Sequence, residues 1–349
     1  MKLIVQIPCF NEENTLPLTV RDIPRRIDGI EKVEILIIDD GSTDRTALLA
    51  REIGVDYIVH NKRNLGLARA FIIGIDACLK RGADIIVNTD GDNQYAGADI
   101  PKLIQPILDG RADIVIGDRQ PHRISHFSPG KRALQRIGGL TVRRLSGLDI
   151  PDPVSGFRAY SREAALALNV VSEFSYTIES IVQASSLRFS ITSVPVTTNR
   201  TTRESRLFKS IPHFLKRQFS TLFRMYAMYR PLRAFAAIGA VLLTIGVLPI
   251  LRFLYFYFFT ADGTGHVQSL ILGGVLVTLG FITFVIALLA DLIGWNRKLL
   301  EVTLEKVRRL ELALARDMST ERETASRSAM EKHTTDRERI AVMPNENRR

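Results

Sequence analysis

The chain has 349 residues, 46% hydrophobic and 24% charged, with two cysteines and a formal net charge of +10. That length leaves room for more than one domain and an ample core. Cys9 and Cys78 have no Cys or His partner nearby in sequence, which argues against a disulfide framework and for a reducing compartment. The positive balance admits nucleic acid or membrane as a partner, and its location has to decide between them.

The start, "MKLIVQIPCFNEE", has too short an apolar run for a secretory signal and meets Asn11, Glu12 and Glu13 at once, so the N-terminus is expected to stay in the cytosol. Short apolar runs then alternate with amphipathic stretches. The runs predict strands at Lys2–Ile7, Val33–Ile38, Tyr57–His60, Ile85–Thr89, Ile114–Gly117 and Ile191–Val196. Helical spacing predicts helices at Thr15–Ile27, Arg45–Ile53, Leu67–Lys80 and Ile100–Leu108, with more starting at Lys131 and Arg162. Such alternation implies an α/β fold with a mostly parallel sheet.

In such sheets ligands sit beyond the carboxyl ends of the strands. "PCFNEEN", "DDGSTD", "NKRNLG" and "DGDNQ" follow the first four predicted strands, so all four polar clusters fall on one edge. One polar loop is an ordinary turn; four in succession suggest an assembled site. In "IIVNTDGDNQY", Asp90 and Asp92 stand one residue apart where an apolar run stops. If the segment is extended, both carboxylates point the same way and can converge on one hard cation. The competing reading is a polar turn, since Asp, Gly and Asn are turn formers. Gly91 is expected to let the backbone turn tightly between them.

From Arg200 to Arg233 nine basic residues face one acid, Glu204, interleaved with six aromatics. An uncharged run, Ala234 to Leu251, follows directly, and a second extends from Ser269 to Ala290. Both are long enough to cross a hydrocarbon core. The connection "TADGTGHVQ" has no Lys or Arg, whereas both flanks are basic, which puts the flanks in the cytoplasm. The basic stretch then reads as an interfacial helix, roughly 207–229, on anionic lipid. Nucleic acid becomes the lesser reading. After Trp295, Leu300, Leu304, Val307, Leu310 and Leu314 recur at helical spacing, as in an amphipathic helix or a short coiled coil joining subunits. From about Asp317 the chain is charged and poor in large apolar residues, and disorder is expected.

"IPCFNEE", "IIDDGSTDRT", "NLGLARA", "NTDGDNQY", "GDR" and "SGFRAYSREA", in this order, resemble the family 2 glycosyltransferases of the GT-A fold. With the basic segment and two spans, the chain is similar to the polyisoprenyl-phosphate group that includes the dolichol-phosphate mannose synthases. The resemblance covers roughly residues 1–230 by motif and 231–295 by architecture, leaving the C-terminal tail outside. It implies a GT-A catalytic domain over 1–205, juxtamembrane helices over 206–230 and two spans within 231–295, at about 234–259 and 269–293. A cytoplasmic helix over 296–316 and a disordered tail over 317–349 complete the expected organisation, with both termini cytoplasmic.

The resemblance also implies chemistry. A nucleotide-sugar would bind at Pro8, Asn11, Glu12, Asp39, Asp40, Asn64, Gly66 and Asp90. Asp40 or Ser42 has a structural alternative, as a cap of the following helix. Asp90, Asp92 and Gln94 match the family's metal triad for Mg2+ or Mn2+, with Asp92 as the first choice of direct ligand. Catalytic roles fall to Asp92, Arg119 and Asp152. The acceptor, a polyisoprenyl (undecaprenyl or dolichyl) phosphate, would meet Lys131, Arg132, Ser155, Arg200, Arg203, Ser205 and Arg206. For each of these cations the alternative is a solvated surface position. Phe157 reads equally as core or contact, and Glu179 as a family acidic position or a helix salt bridge.

The expected reaction is inverting transfer, from a UDP-sugar such as UDP-glucose or UDP-N-acetylglucosamine or, alternatively, from GDP-mannose. A processive polysaccharide synthase would need a Q-x-x-R-W motif, and the only tryptophan, Trp295, stands in "LIGWNRK". A lipid-hydroxyl acceptor stays open, with Asp152 as its candidate base, as does an inactive membrane scaffold.

Overall fold

The fold is that of a computed structural model, which describes residues 1–120, 143, 147–170, 176–199, 226–259 and 266–341, with side chains through 315. Seven strands form one sheet in the order β3-β2-β1-β4-β6-β5-β7. The strands are β1 (Lys2–Cys9), β2 (Lys32–Asp39), β3 (Tyr57–His60), β4 (Ile85–Asn88), β5 (Ile114–Asp118), β6 (Arg158–Ser161) and β7 (Ile191–Pro195). Runs such as "LIVQI" and "VEILII" are rich in β-branched residues and buried along most of their length, as central strands of a parallel sheet must be. All neighbours are parallel except β6, which lies antiparallel between β4 and β5. The sheet is therefore the mostly parallel α/β architecture expected, with one inserted strand that the sequence pattern does not reveal.

Helices cover both faces. On one side α1 (Leu16–Asp22), α2 (Thr46–Glu52) and α4 (Ile100–Leu108) close a core containing Leu16, Val20, Ala50, Leu103 and Ile104. On the other, α3 (Leu67–Lys80), α5 (Arg162–Ala167) and α6 (Tyr176–Ser186) cover Phe71, Ile75, Leu166, Ile178 and Ile181. The first helix is shorter than expected. It ends at Asp22 because Pro24 pushes Ile23 into an extended conformation, ψ 120°.

Two helices long and apolar enough to cross a membrane follow: α7 (Pro231–Phe259) and α8 (Val267–Ala341). They pack through glycines. A Cβ on Gly246 would lie 2.8 Å from Val277 N, and one on Gly239 would lie 3.0 Å from Gly280 O. Small residues let such backbones approach closely.

Beyond its apolar part, α8 does not stop. It passes the α/β domain, where Arg308 donates to Leu166 O and, at 2.6 Å, to Leu168 O, pairing also with Asp76. Arg309 pairs with Glu163, and Lys80 pairs with Glu311. One face of the segment read as an amphipathic helix or a short coiled coil is thus taken up by the α/β domain of its own chain. Leu300, Val307, Leu310 and Leu314 remain exposed on it. The helical backbone also continues to Ala341, where disorder was expected from 317. The expected helix from Lys131 and most of the interfacial helix over 207–229 lie outside the described residues.

Candidate active site

The carboxyl ends of β1, β2, β3 and β4 share one edge, and their four loops are tied together there. Asn11 sits in the left-handed region, φ 55°, its N–H donating to Ser42 Oγ at 3.0 Å and its Oδ1 accepting from Thr43 N at 2.8 Å. Glu12 is buried, and its N–H donates to Thr46 Oγ1 at 2.8 Å. Asp39, fully buried at the end of β2, accepts from Ser42 N at 3.0 Å and meets His60 Nδ1 at 2.7 Å. Asp40 accepts from Asn61 Nδ2, Leu65 N and Gly66 N, all within 3.0 Å. Its carboxylate thus holds the third loop and the start of α3. The capping alternative for Asp40 or Ser42 is corrected by the geometry, since it is Asp44 Oδ1 that accepts from Thr46 N at 2.9 Å.

Gly41, at φ 73°, is where the second and third loops touch: a Cβ there would lie 2.5 Å from Arg63 C and 2.7 Å from Asn64 N. Only glycine combines that backbone angle with that approach. Pro8 is buried within β1, and Asn64 is exposed at the rim.

Asp90 and Asp92 are not on an extended strand. Strand β4 ends at Asn88, and the two aspartates lie beyond it, with Asp92 in a turn and its Oδ1 accepting from Gln94 N at 3.1 Å. The turn that carries them is gripped by the first loop and α1. The Gly91 carbonyl accepts from Thr15 Oγ1 at 2.8 Å and Thr19 Oγ1 at 3.3 Å, and Thr15 also donates to Glu12 Oε2 at 2.9 Å. Gly91 is needed for space rather than for a left-handed angle, because a Cβ there would lie 2.9 Å from Cys9 Sγ. Burial, and then the neighbouring Asp92, push the Asp90 carboxyl up to about 7, against the pull of Arg119.

Beneath this turn a buried polar chain crosses the sheet. Gln6 Nε2 donates to Asn88 Oδ1 at 2.9 Å, and Asn88 Nδ2 donates to Gly156 O and Tyr176 Oη, both at 2.9 Å. Gly156 brings its loop directly against the Asp-x-Asp turn: a Cβ there would lie 2.9 Å from Asp90 Oδ2 and 3.0 Å from Tyr176 Oη. Its N–H donates to Tyr95 Oη at 3.1 Å, and Tyr95 stacks on Phe157 at 5.1 Å. Phe157 is fully buried, which resolves it as core.

Arg119, just past β5, forms a fork on Asp152, with Nε donating to Oδ2 at 2.6 Å and Nη2 to Oδ1 at 2.9 Å. Both carboxylate oxygens are engaged, and Asp152 is 2% exposed. Ser155 is fully buried in the same loop. The loop is held from below by Arg158, a residue that the sequence reading did not single out. Its guanidinium, 0% exposed, donates to Ser155 O, Thr177 O and Pro153 O at 2.7 Å each and to Ser180 Oγ at 2.9 Å. Among the described residues it has no carboxylate partner within ion-pair distance. His60, Tyr95, Asn88 and Tyr176 were likewise missed, although Tyr95 closes the very stretch that drew attention.

Gln94 O accepts from Asn199 N at 2.8 Å, and Asn199 Nδ2 donates to Asn93 O at 3.2 Å. The chain therefore leaves β7 toward Arg200 from a point fastened to the Asp-x-Asp turn. Lys131, Arg132, Arg200, Arg203, Ser205 and Arg206 themselves lie outside the described residues. Glu179 is fully buried and faces Arg297 at 3.7 Å, the salt bridge of the two readings weighed for it, though with a partner from α8 rather than from its own helix.

An α/β sheet whose carboxyl edge gathers an Asp-x-Asp turn, a carboxylate-lined loop pair and an arginine fork has the parts of a sugar-nucleotide transferase. The profile of Glycosyl transferase family 2 matches residues 4–168. The chain is 31% identical over 207 residues to polyprenol monophosphomannose synthase of Mycolicibacterium smegmatis, an alignment covering 56% of this chain and 77% of that protein. It is 28% identical over 207 residues to undecaprenyl-phosphate mannosyltransferase of Micrococcus luteus, covering 56% and 83% of the two chains. The protein thus belongs to glycosyl transferase family 2. A crystal structure of glucosyl-3-phosphoglycerate synthase from Mycobacterium tuberculosis with Mn2+, UDP-glucose and phosphoglyceric acid superposes with a TM-score of 0.52. At 22% identity, over 64% of this chain and 79% of that one, this likeness speaks for the fold.

Proposed function

We propose that the protein is a membrane-bound, inverting glycosyltransferase that moves a sugar from a nucleotide-sugar to a polyisoprenyl phosphate. The observation that carries this reading is one edge on which the Asp-x-Asp turn meets the Arg119–Asp152 fork, in a domain gripped by a membrane-length helix. The names of the two sequence relatives support the acceptor class.

On this reading the base and ribose lie over Asn11, Glu12 and Asp39, while Asp40 and Gly66 shape the loop beneath them. Asp90 and Asp92 would hold the divalent cation. Their all-oxygen, mutually repelling carboxylates suit a hard ion. Among the described residues no three His, Cys, Asp or Glu side chains converge on one point, so water and diphosphate oxygens would complete the shell. Bound Mg2+ or Mn2+ would neutralise the diphosphate and ease its departure.

A lipid monophosphate is largely dianionic at neutral pH, its second pKa being about 6, and needs no strong base. Its oxygen attacks the anomeric carbon from the face opposite the diphosphate. The new sugar–phosphate bond forms as the bond to the nucleoside diphosphate breaks, inverting the centre. Asp152 fits this scheme better than a lipid-hydroxyl acceptor. A carboxylate with both oxygens on a guanidinium is poorly placed to take a proton. It fixes Arg119 instead, whose charge can face two phosphates. Arg200, Arg203, Ser205 and Arg206 follow a segment fastened beside that turn and complete the proposed acceptor set, with Lys131, Arg132 and Ser155.

The preference for a UDP-sugar rests on no residue of this chain, and the relatives' mannose transfer sets GDP-mannose beside it. Both helices would cross the bilayer, with the catalytic domain and both flanks cytoplasmic, in keeping with the positive-inside rule. An inactive scaffold would not need the intact carboxylate set. The test is transfer of labelled sugar from UDP-glucose, UDP-N-acetylglucosamine and GDP-mannose to polyprenyl phosphate, with Mn2+ or Mg2+, with chelator, and in Asp92→Ala. One donor labels the lipid, and chelation or the substitution abolishes the product. Nucleotide binding with no product from any donor sinks the reading.

A further inference from the structure

The catalytic domain and the membrane-length helices meet at a buried ionic cluster that the chemistry of transfer does not use. Glu179 lies on α6 and is fully buried. A cation from the other end of the chain faces it: Arg297 Nη2, on α8 just beyond the apolar segment, stands 3.7 Å from Glu179 Oε1. The same guanidinium donates from Nε to Glu301 Oε1 at 2.8 Å and from Nη2 to Tyr229 Oη at 2.8 Å. It also lies over the Tyr229 ring at 4.5 Å. Tyr229 lies two residues before α7, so one arginine joins α6, α8 and the approach to α7.

Such a cluster is an expensive way to pack two elements. Arg297 Nη1 is buried without a partner. Replacing a buried ion pair by apolar groups is commonly neutral or stabilising, whereas a charged pair fixes one register. What register is fixed follows from the rest of α6. Tyr176 Oη accepts from Asn88 beside Gly156, while Thr177 O and Ser180 Oγ accept from Arg158, which holds Pro153 and Ser155. Residues 176, 177 and 180 thus grip the 152–156 loop, and residue 179, in the same turn, grips the membrane helix.

We propose that Arg297 is a positioning residue that, through Glu179 and α6, sets the 152–156 loop and its Arg119–Asp152 fork relative to the membrane surface. The inference rests on the acceptor reading given above. Without the clamp, the donor half is intact, and a soluble acceptor still finds the site by diffusion. A phosphate confined to a bilayer must meet a loop held at the right height and tilt.

The full-length protein is reconstituted in phosphatidylethanolamine/phosphatidylglycerol vesicles as wild type, Arg297→Gln, Arg297→Lys and Glu179→Gln. Transfer is compared for long-chain polyprenyl phosphate in the bilayer and for a water-soluble, short-chain isoprenyl phosphate. Arg297→Gln and Glu179→Gln lower kcat/KM for the bilayer acceptor about tenfold or more, as misplacement costs do. They leave the soluble acceptor and the donor KM within about threefold, and Arg297→Lys recovers part of the loss. Equal losses on both acceptors, or none on either, overturn the inference. Amide exchange over 152–158 is read on the same samples without any acceptor. It quickens in Arg297→Gln, and unchanged exchange also overturns the inference. Wild type that labels neither acceptor defeats the proposed function, while the exchange measurement still decides the clamp.

Discussion

The two halves of the sheet edge are built on different plans. Around β1 to β4 neighbouring loops hold one another directly: Asn11 to the 42–43 turn, Asp40 to the 61–66 loop, Thr15 and Thr19 to Gly91. Around β5, β6 and α6 the loop of Asp152 and Ser155 joins that network at Gly156, through Asn88 and Tyr95, but hangs also on the buried Arg158 and on a helix that is itself clamped to α8. On the proposed reading, the half that would meet the donor is held by its own loops, and the half that would meet the acceptor takes part of its position from α8. A soluble nucleotide-sugar can be met by a site that organises itself, but a lipid phosphate arrives from a fixed plane.

The largest expected effect tests the independence of the donor half. Asp90→Asn lowers transfer about a thousandfold by removing a carboxylate from the diphosphate site. Because burial and Asp92 already disfavour its charge, the variant melts no lower than wild type in chelator, measured by calorimetry. A large fall in melting temperature would show the turn to be held by its charge. Next is Arg158→Met, which removes four buried hydrogen bonds and costs about 1 to 3 kcal/mol, in chemical denaturation, for each acceptor left without another donor. The folded fraction keeps its affinity for nucleoside diphosphate by titration calorimetry; loss of that affinity would erase the distinction between the halves.

Gly156→Ala acts where the two halves touch. Its methyl would sit 2.9 Å from Asp90 Oδ2, so folding loses about 1 to 3 kcal/mol and both donor KM and kcat worsen. The smallest effect belongs to the opposite end of the sheet. Burial works to raise the Glu34 carboxyl, but hydrogen bonds from Lys2 and Lys32 outweigh it and hold it below its ordinary 4.5. A depressed carboxyl contributes stability above its unfolded value and loses it as pH falls through the folded one. Urea midpoints therefore fall more steeply for wild type than for Glu34→Gln below about pH 4.5, with transfer at neutral pH unchanged.

What could be read in advance follows the range of the forces. Parallel strands announce themselves through apolar runs, and Leu67–Lys80 and Ile100–Leu108 through their spacing, so the sheet and most of its helices were legible. Strand β6 was not, because "RAYS" has four residues and opens on an arginine whose burial only the packed α6 explains. Pro24 carried the signal that shortens α1. Asp90 and Asp92 were found by their spacing, but for a reason the turn replaces. Asp152 was legible as an acid in a motif, yet its fork with Arg119 depends on a contact across 33 positions. His60, Arg158, Tyr176 and Arg297 act through partners that no local pattern names.

The long helix α8 makes height and phase into inherited quantities. From Gly294 to Arg308 the helix rises about 21 Å, at 1.5 Å per residue. Because each residue also turns the helix by about 100°, two inserted residues would swing Arg308 and Arg309 to the far side of the shaft, away from α5. Four would nearly restore their bearing but lift them by about 6 Å. Between the apolar segment and the domain, then, this stretch tolerates substitution far better than a change in length. If the apolar segment spans a bilayer, as proposed, the distance from lipid to the sheet edge is written in a residue count.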